Sequence, residues 1–339
     1  MNPRSLLPIL VLTGGIVAAL LLVRPGGDDP SASTGVTAEA EPAAAPEFPP
    51  IPRPDDRESV DPSSLSPSQA DLRARLLDVS RQSVQHEDTE KEVRLLIARQ
   101  DALQELLDTL GPEDLAILVE LLLEEPDYMI RRQLIDAIAR LRTPAAVDAL
   151  IDHYWRLYDR EKEPELNYAI KALGTVDTPH SFNRLDEMID HELAEPHRFR
   201  FVEQLGRHSE ARRAVPRFLE VARPDLQPYF KVRSRAALAL KWAGDVGAAP
   251  KIEKLLDQEE NRYVRQALVG TLGGLGDVGS INKLERIALN DEDFQTRTSA
   301  IRALSRIKTD RARGIVERVS VQDENEKVRE HALGLLERW

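Results

Sequence analysis

From Val232 to Trp339, apolar and polar positions recur at a fixed interval of 32 residues. Val232-Arg233, Val264-Arg265, Thr296-Arg297 and Val328-Arg329 stand in register, and Ala237, Leu268, Ala300 and Leu333 follow them within a residue. A second motif keeps the same step: Ile252-Glu253-Lys254, Leu284-Glu285-Arg286 and Val316-Glu317-Arg318. A unit of this length accommodates two helices of about 12 residues and two short turns. The first helix should end near Ala243, Leu275 or Ile307. In the second, Ile252, Leu255 and Leu256 fall at i, i+3 and i+4, so one face asks for burial. Neither helix can bury its face alone, and stacking the pairs supplies the neighbour. The pattern therefore predicts an all-α chain, an α-solenoid of stacked helix pairs.

The period continues upstream to Asp127. Leu134, Ile138 and Leu141 match Leu166, Ile170 and Leu173, and Leu173-Gly174 matches Leu205-Gly206. Between Leu205 and Ala243 the step grows to 38 residues, which assigns Arg223 to Pro228 to a longer loop. Order begins at Ser66-Pro67-Ser68-Gln69, a capping box with proline at the first helical position. Three helices are expected from there, to about Gln85, over Glu87–Leu110 and over Glu113–Glu124. They depart from the period, as terminal units of a solenoid do. Glu324 to Arg338 should close the other end.

The first 65 residues differ in kind. Ser5 to Val23 is a 19-residue run without a charge. As a helix it would extend about 28 Å, close to the hydrocarbon thickness of a bilayer. It is long for the apolar core of a cleaved signal peptide, and no close small-x-small cleavage site follows, so a retained signal-anchor is the first reading and a cleaved signal peptide the second. Repeats on the outer side of the cell membrane, the periplasm in a bacterium, are the expected topology. Pro25 to Leu65 holds nine prolines, and Pro25 to Val60 has eight acidic residues against two basic ones. Such a stretch cannot bury enough apolar surface to offset chain entropy and is expected to be a disordered tether. The expected organisation is an anchor over 1–24, a linker over 25–65, capping helices over 66–126 and repeats over 127–339.

The pattern apolar-Arg-x-x-Ala-x-x-x-Leu-x-x-x-Gly-Asp resembles HEAT repeats, most closely the short variety of phycobilisome-lyase-like proteins. The likeness covers roughly residues 127–338. It implies second helices on an inner, concave face, and a scaffold for protein partners as the general role. A bilin-lyase-like enzyme or an accessory subunit of one is the alternative it implies, with no catalytic residue carried over.

Composition narrows the chemistry. The net charge is -12, with 58 acidic residues against 46 Lys and Arg, which argues against nucleic acid as a partner. There are no cysteines, so disulfides, thiolate catalysis and cysteine metal sites are excluded. His180, His191, His197 and His208 lack the spacing of a metal site and read as surface histidines. No catalytic constellation, cofactor motif, metal site or small-molecule substrate is indicated. Tyr154, Trp155, Tyr158 and Tyr168 cluster within 15 residues, chiefly for packing between repeats, with partner contact through Tyr154 and Tyr158 as the alternative. In the second helices, positions beside the core stripe line up. Arg217, Lys254, Arg286 and Arg318 form a basic row, next to Glu253, Glu285 and Glu317. A solvated, self-compensating face is the plain reading, and a groove for an acidic protein segment the sharper one. The recurring arginines at 131, 233, 265, 297 and 329 read as an inter-repeat ladder with the acidic residues that closely precede most of them, Asp127, Asp291 with Asp293, and Asp323 with Glu326, the pairs being exposed.

Overall fold

The computed structural model describes residues 66–81, 89–158, 163–191 and 195–339. The apolar stretch Ser5–Val23 and the proline-rich stretch to Leu65 lie outside the described residues. Among the described residues no helix is long and apolar enough to cross a membrane. They fall in one compact unit and form helices and turns without a strand.

The order is α1 (Pro67–Arg81), α2 (Thr89–Leu107), α3 (Leu115–Glu124), α4 (Tyr128–Leu141), α5 (Pro144–Tyr158), α6 (Glu163–Val176), α7 (Pro179–Asp190) and α8 (Glu195–Arg207). It continues with α9 (Val215–Val221), α10 (Phe230–Ala243), α11 (Ala249–Gln258), α12 (Arg262–Leu275), α13 (Ile281–Asn290), α14 (Phe294–Ile307), α15 (Asp310–Gln322) and α16 (Glu326–Leu336). From α4 onward the even-numbered first helices pack along one another in chain order, and each second helix, from α3 to α15, packs on the first helix that follows it. That is an α-solenoid.

Local signals set the boundaries. The Ser66 capping box forms, with the Gln69 N–H donating to Ser66 Oγ at 3.3 Å and the Ser66 N–H to Gln69 Oε1 at 3.1 Å. α10, α12 and α14 end at Ala243, Leu275 and Ile307 as the period predicts. Gly244 and Gly276 then turn the chain at φ of 67° and 71°, a conformation open to glycine without penalty. The longer step is the loop between α9 and α10, and a 3-10 turn over Pro112–Asp114 leads into α3.

One register expectation is corrected. Ala237, Leu268 and Ala300 are buried as expected, but Leu333 is 51% exposed and Ala332 takes its place in the core, on the strict 32-residue step with Ala236, Leu268 and Ala300. A slip of one residue rotates a side chain by about 100° around a helix, enough to move it off the core face. The core stripe of the second helices holds, with Ile252, Leu255, Leu256, Leu284, Ile287, Val316 and Val319 all buried.

First helices approach closely at small residues. A Cβ on Gly206 of α8 would lie 2.6 Å from Ala239 Cβ of α10, and one on Gly273 of α12 would overlap the Ala303 backbone of α14. Thr271 Oγ1 of α12 donates to the Ala237 carbonyl of α10 at 2.6 Å, so even a buried hydroxyl is satisfied across the interface.

The arginine ladder forms, though with other partners than the exposed ones expected. Arg233 donates through Nε and Nη2 to Glu259 at 2.8 and 2.9 Å, and through Nη1 to the carbonyls of Gln227 and Pro228 at 2.7 and 3.0 Å. Arg297 repeats this with Asp323 at 2.9 and 3.0 Å, and Arg265 pairs with Asp291. The carboxylates of Glu259, Asp291 and Asp323 thus serve the arginine of one unit. Their backbone carbonyls accept from the arginine of the next: Arg265 at 3.2 Å, Arg297 at 2.8 Å and Arg329 at 2.7 Å. Each loop acid joins two units. Asp127 and Asp293, expected as rungs, instead cap α4 and α14. The pairs at Arg233 and Arg297 are buried on both sides, so they carry a desolvation cost that only full hydrogen bonding offsets.

Candidate functional site

The basic row lies on second helices, as the spacing predicts, but neighbouring carboxylates cross it. Arg217 on α9 donates to Asp186 at 3.0 Å and Asp190 at 2.5 Å, both on α7. Arg318 on α15 pairs with Glu285 on α13, which also takes Arg311 at 3.2 Å. Arg318 and Arg311 hold the Glu285 carboxyl below its usual range. Lys254 and Arg286 are exposed. Arg286 borders a shallow basin of about 240 Å³ with Arg265, Lys283, Asp257 and Asp291. Two members of the row are therefore tied into ion pairs between successive second helices.

Tyr154 is 0% exposed, which removes it from direct partner contact. Its hydroxyl lies 3.2 Å from His197 Nδ1, and its ring meets Phe201 edge-on at 5.2 Å. Tyr158 is half-buried beside it, with ring centroids 5.9 Å apart. Tyr168 donates to Asp136 at 2.6 Å beneath the Arg132 guanidinium. Tyr154 and Tyr158 thus pack α5 against α8, and Tyr168 ties α6 to α4, which is the packing role given first place above.

The histidines are not all on the surface: His153, His197 and His208 are buried. Two of them make constellations that the sequence does not reveal. His208 brings Ser181 and Asp177 together, with Nε2 3.3 Å from Ser181 Oγ and Nδ1 3.2 Å from Asp177 Oδ1. The residue types are those of an acyl-transfer triad, but the hydrogen bonding is that of a clamp. The Glu210 N–H donates to Nδ1 at 3.1 Å, Nε2 lies 3.1 Å from the Thr178 carbonyl, and the Ser181 hydroxyl proton is directed to that same carbonyl and not to the ring. Ser181 is itself buried at the start of α7, accepts from the Thr178 N–H at 2.9 Å and donates to the Thr178 carbonyl at 2.9 Å. The group joins the start of α7 to the end of α8.

The other histidine belongs to the first rung of the ladder. Arg131 donates to Glu165 through Nε and Nη2, both at 2.8 Å, and His153 Nε2 lies 3.3 Å from the same carboxylate. Burial alone would raise the Glu165 carboxyl; His153 and Arg131 overcome this and bring it down from 4.5 to about 2. A depressed folded-state value contributes stability that is present above about pH 4.5 and is lost as the pH falls towards 2, on the order of 3 kcal/mol in full. Urea midpoints should therefore fall more steeply for the natural chain than for Glu165→Gln between pH 5 and pH 2. Parallel curves would show that the rung adds nothing to the acid response.

Among the described residues no group of three or more His, Asp or Glu is arranged to hold a metal ion. A groove of about 700 Å³ lies between the second helices α3 and α5. α3 is apolar on nearly every side. Ile117, Leu118, Leu121 and Leu122 enter the core, while Leu115, Val119 and the 46% exposed Leu123 line the groove. Ala145 and Ala149 form the facing wall, and their small side chains fill little of the space between the two helices. Eight apolar residues among the ten of α3, broken only by Glu120 and Glu124, were the signal for this face. In the sequence they read only as core.

Residues 249–337, covering α11 to α16, match the family model for HEAT repeats. No curated protein matches the chain. Among solved structures, human deoxyhypusine hydroxylase in complex with glycerol is 18% identical over 80% of this chain and 99% of that chain, with a TM-score of 0.33. The complex of CpcE and CpcF of phycocyanin lyase from Nostoc is 17% identical over 87% of this chain and 99% of that chain, with a TM-score of 0.31. A computationally designed self-assembling cyclic homooligomer is 18% identical over 79% and 89%, with a TM-score of 0.14.

Proposed function

We propose that this HEAT-repeat protein is a membrane-tethered, non-enzymatic scaffold that holds a protein partner on its second helices, with Ser5–Val23 as a single-pass anchor and the repeats on the extracytoplasmic side. The observation that carries the reading is the groove between α3 and α5. It leaves Leu123 exposed and Leu115 and Val119 half-buried along one side of an apolar helix, and an apolar concavity of this kind marks an interaction site. Ser181, His208, Arg233 and Glu259 are consumed by caps and rungs, and the buried Glu120 and His153, which line the groove, are held by Arg73 and beside Glu165.

The absence of cysteine makes a site-directed test simple. Photo-crosslinkers placed on Leu123→Cys, in the groove, and on Leu333→Cys, an exposed leucine on α16, are compared in intact cells. Discrete adducts from position 123 with none from 333 are expected, and the adducts should stay with the membrane after carbonate extraction. Equal labelling from both positions, or none from 123, counts against the scaffold site. Release of the whole chain by carbonate counts against the anchor.

A further inference from the structure

Two first helices bring together a second set of side chains. Arg200, Glu203 and Arg207 fall at i, i+3 and i+7, on one face of α8. α10 packs along α8 and adds Arg235 and Trp242, again seven residues apart. Glu203 Oε1 accepts from Arg207 Nη2 at 3.0 Å and lies 3.4 Å from Arg235 Nη1. Among the described residues no carboxylate pairs with Arg200. The Arg235 guanidinium lies 4.0 Å from the ring centre of Phe199 and 5.9 Å from that of Trp242, and its buried Nε has no hydrogen-bond partner. Burial lowers the Arg235 pKa from its ordinary value, and Arg207 and Arg200 push the same way against Glu203. The patch holds three guanidiniums and one carboxylate, and is short of negative charge.

Trp242 supplies an apolar surface beside that charge. It is 38% exposed, and its ring rests on α8 where Gly206 has no side chain: a Cβ there would lie 3.0 Å from Trp242 Cε3. The Arg207 guanidinium stands 4.8 Å from the ring centre. A ring held from two sides loses little freedom when a partner covers it. Exposed tryptophan beside arginine is also the composition at which binding energy concentrates. Guanidinium is a planar fork of donors without an acceptor, matched by a carboxylate. The reach of the charge selects the kind of polyanion. The chain as a whole carries -12, so an anionic bilayer or a nucleic acid, extending well past the patch, meets repulsion. A short acidic peptide senses only charges within a screening length of about 8 Å, where the arginines dominate.

We propose that Arg200, Arg207, Arg235 and Trp242 bind an acidic segment of a partner protein, its carboxylates on the guanidiniums and its chain across the indole. Arg200 and Arg235 take the incoming carboxylates, while Glu203 keeps Arg207 aligned beside the ring. This surface belongs to first helices and stands whether or not the groove between α3 and α5 is occupied. It also differs from the basic row of the second helices, where Arg217 and Arg318 are already tied to carboxylates of this chain.

The test uses the full chain in phosphatidylcholine nanodiscs and follows tryptophan emission. The probes are two synthetic 12-residue peptides of glycine and serine, one with four glutamates and one with four glutamines in their place. The glutamate peptide should shift the emission saturably, at tenfold or more lower concentration than the glutamine peptide, and the shift should vanish in Trp242→Phe. Arg200→Gln together with Arg207→Gln should weaken binding tenfold or more without loss of helicity. Lys254→Gln together with Arg286→Gln, on the second helices, should leave it within twofold. If the Arg200 and Arg207 variant fails to fold, Trp242→Phe and the glutamine peptide decide. Equal binding of the two peptides, no shift with either, or a shift that survives in Trp242→Phe overturns the proposal. So does a loss in the second-helix variant in place of the α8 variant. Capture of the nanodiscs by phosphatidylglycerol vesicles, lost in the α8 variant while the glutamate peptide stays silent, would assign the patch to lipid and overturn it too.

Discussion

Arg233→Leu is expected to lower the unfolding free energy by about 3–5 kcal/mol, because it leaves the buried Glu259 carboxylate without its bidentate partner. The same substitution frees the carbonyls of Gln227 and Pro228, which accept from Nη1. The loss falls at the junction of two units. In a chain of units stabilised by nearest-neighbour interfaces, weakening one junction should broaden the transition or split it in two. Urea unfolding followed by far-UV circular dichroism measures both effects. The double variant Arg233→Leu with Glu259→Leu should recover part of the loss, since no uncompensated charge stays buried. If the single variant unfolds within 0.5 kcal/mol of the natural chain, the rung is decorative, and the exposed-pair estimate of about 0–1 kcal/mol applies after all.

The second large effect is expected at a site with no polar chemistry. Gly273→Ala adds one carbon where α12 crosses the Ala303 backbone of α14, and overpacking of this kind costs about 1–3 kcal/mol. The neighbouring Gly270→Ala meets open space on the same helix, so it should stabilise by about 0.5–1 kcal/mol through reduced backbone freedom in the unfolded chain. Two substitutions of the same type, three residues apart, are thus expected to have opposite signs. Thermal melts of the pair decide the matter. A loss of stability in both, or in neither, would mean that the close approach of α12 and α14 does not limit the packing.

Much of the fold is legible in the sequence because its determinants are local. The ends of α10, α12 and α14 follow from the period and from Gly244 and Gly276, and the Ser66 cap from four adjacent residues. The stripe at Ile252, Leu255 and Leu256 follows from helical geometry. The register at Leu333 failed for a related reason. A tolerance of one residue is harmless in a list of motifs and decisive on a helix, where it exchanges Ala332 in the core for Leu333 in solvent.

The candidate sites were less legible, because each depends on distances between residues far apart in the chain. The basic row is visible as spacing, but its compensation by Asp186, Asp190 and Glu285 requires knowing which carboxylates the stacking brings beside it. Nothing near Ser181 in sequence announces His208, 27 residues away, and only the hydrogen-bond directions identify that trio as a clamp.

The sequence by itself determined that the chain is a stack of helix pairs. A 32-residue period, one apolar face per helix and a glycine or cap at each end admit no other way to bury the stripe. It also placed an arginine at the start of five first helices, α4, α10, α12, α14 and α16. Only the tertiary structure decided what those arginines hold, because the carboxylate of one rung arrives from the loop that opens the next unit. Only the structure decided, too, which apolar residues stay outside the core. Leu115 and Val119, half-buried, and Leu123, exposed, carry the same hydrophobic signal as their buried neighbours on α3. Whether such a residue becomes core or surface depends on how closely the next second helix approaches, and at Ala145 and Ala149 it stops short.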